Sequence, residues 1–164
     1  MSVNYIPGFS QMASEIPGVK LMAELVNYDK GLKDAIENEF VQIINQSNTK
    51  DGVTLTVDHL LIDKQRLIVF SSIETDKMFD EIGFESIQLR DKKGEIIENY
   101  GVSYGYFTME DHKGSAMLDF TWKEDQEFTD EMSIKVELVQ YKHDDSTKDE
   151  PIAEPLTVTF PVDF

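Results

Sequence analysis

Residues 52–74, GVTLTVDHLLIDKQRLIVFSSIE, decide the fold. Val53, Leu55 and Val57 alternate with Thr54, Thr56 and Asp58, the period of a strand with one buried face. Residues 67–70, Leu-Ile-Val-Phe, are continuously apolar, as in a strand covered on both faces. Asp63, Lys64, Gln65 and Arg66 supply a polar turn between the two runs. The stretch therefore predicts a central β-hairpin. On this alternation His59 falls on the apolar face of its strand, as a buried or partly buried histidine.

Working outward, the same grammar repeats. Residues 40–47 form a strand-like run that leads to Asp51 and Gly52, a tight-turn pair. Residues 76–83 read as an irregular crossing carrying Met78, Phe79 and Ile82. Strands are expected over 84–90 and 95–100 around the turn 91–94, and over 102–110 and 115–123 around the turn 111–114. Met132, Ile134, Val136 and Leu138 alternate with Ser133, Lys135 and Glu137. Residues 143–150, HDDSTKDE, form a charged loop. Leu156, Val158, Phe160 and Val162 make a last strand, and Pro161, which has no amide hydrogen to give, places it at a sheet edge or a strand end. Eight or nine short strands with turns between them predict a mainly β fold: an antiparallel, immunoglobulin-like β-sandwich over residues 39–164.

Residues 1–38 are the helical portion. From Pro17 onward Val19, Leu21, Met22, Leu25 and Val26 recur at helical spacing, and Asp29 can cap a further turn through Leu32, Ala35 and Ile36. Two or three short amphipathic helices are expected, docked on the end or face of the sandwich, because helices this short persist only when packed. One structural domain accounts for the whole length.

Composition narrows the function. The chain has 164 residues, 15 basic and 32 acidic side chains and a formal charge of −17, which argues against nucleic acid or an anionic lipid surface as partner. There is no cysteine, so a disulfide framework, a thiolate metal site and a cysteine nucleophile are excluded. His59, His112 and His143 have no second ligand at metal-binding spacing. Acidic pairs such as Asp144 with Asp145 and Glu110 with Asp111 follow from abundance, and no calcium-loop pattern surrounds them. Gly101 to Gly105 lacks the lysine and helix of a phosphate loop, and no serine sits in a nucleophile elbow. The sequence predicts no catalytic residue, no metal and no cofactor. Tyr104 and Tyr106, read as sharing one strand face, and Trp122, beside Phe120 on the next strand, are the candidate ligand-binding residues, a flat aromatic platform for a sugar ring or peptide. Of these the tyrosines are expected to be the more exposed.

Ile16, Pro17 and Gly18, then Lys30, Gly31, Leu32 and Ala35, then Asn45, Gln46 and Ser47, and finally Gly52 with the strand after it form a recognisable whole. This pattern resembles the start of an extracytoplasmic domain of unknown function in Gram-positive bacterial membrane proteins described as negative effectors of ECF-type sigma factors. The resemblance implies a non-enzymatic sensor or interaction domain of an anti-sigma regulator, partnered outside the membrane by a protein or a cell-wall component. It also implies a membrane anchor upstream of Met1, and a sigma factor contacted only by a cytoplasmic part that this soluble stretch lacks. A carbohydrate or cell-wall binding module using Tyr104, Tyr106 and Trp122 is the alternative.

Overall fold

The computed structural model describes residues 41–141 and 150–163. The helices expected before residue 39, and all of the charged loop except Glu150, lie outside the described residues. The described strands are β1 (Val41–Lys50), β2 (Val53–Ile62), β3 (Arg66–Thr75), β4 (Glu81–Arg90), β5 (Tyr100–Tyr104), β6 (Phe107–Thr108), β7 (Lys113–Trp122), β8 (Glu131–Tyr141), β9 (Glu150–Pro151) and β10 (Leu156–Pro161). They form two antiparallel sheets. The first has the order β1-β2-β3-β7-β5, the second β10-β8-β4-β6, with β9 on β8. The mainly β, two-sheet sandwich expected from the alternation is what the chain adopts, and the 52–74 hairpin lies inside the first sheet. Among the described residues no helix is long and apolar enough to cross a membrane.

The alternating residues meet between the sheets. Val53, Leu55, Leu60, Leu67, Val69, Leu118 and Phe120 from the first sheet pack against Phe84, Leu89, Met132, Ile134, Val136, Val158 and Phe160 from the second. Each such side chain contributes about 1.5–3 kcal/mol by leaving water. The Asp51–Gly52 turn places both residues at positive φ, 54° and 77°, the geometry whose twist matches a two-residue hairpin. Among the described residues strand β10 pairs only with β8, so Pro161 is at an edge of the described sheet. Beside it, β1 closes that flank. Gln42 holds Asp163 by two hydrogen bonds, its amide nitrogen donating to the Asp163 carbonyl and its amide oxygen accepting from the Asp163 N–H. Asn48 donates to the Thr157 carbonyl at 2.9 Å.

Three sequence expectations change. First, a bulge between Val57 and His59 breaks the register of β2 against β3. An extra residue in one strand inverts every later side chain, so Leu60 faces the core while His59 and Leu61 turn to the outer face. Second, residues 95–99 form no strand beyond one bridge from Ile96 to Arg90. The Asp91 carboxylate binds the amides of Lys93 and Glu95, at 2.9 and 3.0 Å, and holds a wide turn instead. Third, the strand expected over 102–110 is two strands in different sheets. β5 pairs with β7 and β6 with β4, so the chain crosses the sandwich at Gly105 and Tyr106. Past the crossing, Gly114 lets β6 and the residue after it lie close against β7: a Cβ there would stand 2.9 Å from the Thr108 carbonyl oxygen and 2.8 Å from the Met109 sulfur.

Candidate functional site

Tyr104 and Tyr106 are the exposed aromatics of the described region, with 46% and 50% of their surface in solvent. They do not share a strand face. Tyr104 ends β5, at the edge of the first sheet, and its ring stands edge-on to Phe84 of the second sheet with centroids 5.5 Å apart. Phe84 in turn leans on the buried Phe107 at 5.1 Å. Tyr106 lies in the crossing itself, and its ring covers Gly83 of β4, where an added Cβ would come within 3.1 Å of it. The two rings thus form a corner over Phe84 and Gly83, each with a packed side and an exposed side. Such a corner offers two amphipathic surfaces to a sugar or peptide.

Trp122 is elsewhere. It is 7% exposed and packs against Tyr100 at 5.7 Å, Phe128 at 5.2 Å and Phe120 at 6.4 Å. Its indole N–H donates to the Glu98 carbonyl at 3.1 Å. In the pairing of β5 with β7, Trp122 is opposite Tyr100 and Leu118 is opposite Tyr104. Four residues of strand, about 13 Å, therefore separate Trp122 from the Tyr104 row. The platform of three aromatics is two places: an exposed tyrosine corner and a largely buried tryptophan.

Two surface depressions flank Trp122. One lies between the 63–66 turn and Asp125, the other between residues 99–101 and 123–126. Their walls are tied together, since Gln65 donates to Asp125 at 2.9 Å, and the amides of Trp122 and Gln126 donate to the carbonyls of Gln65 and Lys64. Their linings set Asp63, Glu124 and Asp125 beside Lys64, Arg66 and Lys123 around the tryptophan, a mixed-charge surface. Among the described residues no group of three or more His, Asp or Glu side chains stands close enough to hold a metal ion. His112 sits at positive φ in the turn after β6. His143, Asp144 and Asp145 lie outside the described residues.

The alternation missed the pair at the β2 bulge. Asp58 and His59 are 1% and 0% exposed. Asp58 accepts a hydrogen bond from the Ser72 hydroxyl at 3.1 Å, while its second oxygen and both ring nitrogens of His59 have no hydrogen-bond partner among the described residues. His59 meets Phe70 edge-on at 6.5 Å. Burial pushes the Asp58 carboxyl up to about 7, the Ser72 bond drawing it partly back, and burial lowers His59 to about 4. At neutral pH the imidazole is neutral, and the carboxyl is divided between its two forms. The signal was present in the sequence: two consecutive polar residues inside an apolar run break strict alternation.

Residues 1–75 match the family model described as Domain of unknown function (DUF4179). No curated protein matches the chain.

Proposed function

We propose that the chain is a non-enzymatic, extracytoplasmic sensor or interaction domain of a membrane-anchored regulator of an ECF-type sigma factor. The observation that carries this reading is the resemblance of the residues from Ile16 to Gly52 to the anti-sigma proteins, and the match of residues 1–75 to a domain-of-unknown-function model supports it only in covering the same stretch. The matched stretch contains every residue on which the resemblance to the anti-sigma proteins rests, from Ile16 to Gly52. The protein or cell-wall component outside the membrane acts by binding, and a bound ligand shifts signalling only as far as it prefers one arrangement of the domain over another. The sigma factor is held by a cytoplasmic part of the parent protein. The test is disruption of the gene in its own host with sequencing of total RNA. A rise confined to one set of ECF-type promoters is expected; an unchanged transcriptome under envelope stress sinks the reading.

The second reading, a carbohydrate or cell-wall binding module, is favoured by the half-exposed Tyr104 and Tyr106 at one corner. It predicts retention of the chain on insoluble peptidoglycan, lost in Tyr104→Ala with Tyr106→Ala. Retention equal in parent and variant removes the tyrosines from any such role.

A further inference from the structure

The outer face of the first sheet carries a buried apolar stripe. In register across it run Val41, Leu61 and Ile68, and beside them Ile43, His59, Phe70 and Met117. Val41, Ile68 and Phe70 are at most 1% exposed and Leu61 6%. None of these four belongs to the core between the sheets, because strand parity aims them the other way. Arg66 and Asp119 border the stripe, joined by two hydrogen bonds of 3.0 and 2.8 Å.

Every described strand belongs to the first sheet or to the second sheet on its opposite face. The apolar loop residues Phe79 and Phe128 pack on the core between the sheets. What covers the stripe therefore comes from outside the described residues. Residues 142–149, KHDDSTKD, contain no apolar side chain. Residues 1–40 contain the helical stripe of Val19, Leu21, Met22, Leu25 and Val26, and they join the sheet at Val41, which is itself in the buried row.

We propose that the helical stripe within residues 1–38, Val19 to Val26, docks on the outer face of the first sheet, over Leu61, Ile68, Phe70 and His59, making the sandwich a three-layer domain. The dimensions agree. A helix over residues 17–28 is about 18 Å long, and the four strands β1, β2, β3 and β7 span about 14 Å between outer axes. The helix also accounts for a neutral histidine and an aspartate placed where a β-sandwich normally meets water. The proposal is independent of the sensor reading, since it concerns only how the chain packs on itself.

The test uses the full chain, which has no cysteine of its own. Met117→Cys, in the Phe70 row, carries a nitroxide, and amide signals are recorded by NMR. Strong broadening of residues 17–28 is expected. Full-intensity signals there overturn the proposal, and so does broadening seen only when label and isotope are on different chains, which assigns the face to a second copy. A second measurement uses Leu21→Asp with Leu25→Asp, substitutions outside the described strands. A soluble relaxation agent should then broaden the methyl signals of Ile68 and Leu61 several-fold more than in the parent. Methyls equally protected in parent and variant count against docking.

Discussion

Asp58→Asn removes one of two neighbouring buried groups whose titrations oppose each other. The Asp58 carboxyl has an ordinary value of 3.8 and is raised to about 7 in the fold. Its contribution to stability is therefore fully present below the ordinary value and is lost as pH rises through about 7. His59 runs the other way. Lowered from 6.5 to about 4, it contributes stability that is present above 6.5 and lost as pH falls toward 4. At ~1.36 kcal/mol for each tenfold change in proton affinity, acidification from neutral to about pH 4 adds roughly 3 kcal/mol through Asp58 and removes a similar amount through His59. The parent hides both effects because they cancel. In Asp58→Asn the histidine contribution stands alone, so the variant loses about 3 kcal/mol relative to the parent over that window. His59→Phe leaves the aspartate contribution alone and gains by a similar amount. The assay is urea unfolding of the full chain at several pH values, with linear extrapolation to water. Taking differences from the parent removes the background titration of the other acidic residues, which all three proteins share. Differences flat within about 1 kcal/mol across the window would refute the burial of the pair.

Other outcomes follow from packing. Gly114→Ala drives a Cβ into the Thr108 carbonyl and should cost about 1–3 kcal/mol in denaturant unfolding; an unchanged midpoint would mean that β6 is free to move away from β7. Phe120→Ala, at a fully buried position, should cost about 3–5 kcal/mol, read in the same experiment. Tyr104→Ala with Tyr106→Ala should cost less than Phe120→Ala, because each tyrosine is about half exposed and gives up less buried surface. A loss as large as that of Phe120→Ala would assign the tyrosines to the core. Trp122→Phe should remove the chain's single-tryptophan fluorescence and lower the melting temperature, since the bond to the Glu98 carbonyl disappears.

Much of the architecture was legible because burial on one face leaves a period-two trace. Residues 53–57, 132–138 and 156–160 alternate and became β2, β8 and β10, and Asp51 with Gly52 turned where their tolerance of positive φ predicted. What escaped was decided by contacts distant in sequence. Residues 95–99 have strand-like composition, but their pairing stops at the Ile96–Arg90 bridge and the Ile97 amide on the Leu89 carbonyl, while the Glu95 amide is taken by the Asp91 carboxylate. The run 102–110 changes sheets at Gly105 because Phe107 finds its place beside Phe84. The one-residue bulge at Asp58 inverted the histidine's face. The aromatic site was legible in its exposure order, tyrosines outside and tryptophan inside. Its assembly was not, because which rings meet depends on strand pairing rather than on spacing.

The Gln42–Asp163 clamp has a mechanical consequence. It brings the first and last described strands together at one corner, although 121 positions separate the two residues. A pull applied at that corner works like opening a zipper: it strains the clamp first, then the Val41–Leu61 and Pro161–Glu131 pairs one after another. While folded, the sandwich adds almost nothing to the length of a chain under tension. The chain between the two ends, about 400 Å when fully extended, is released only after the paired strands of both sheets have opened, so the corner sets where unravelling starts and the sheets set how far it runs.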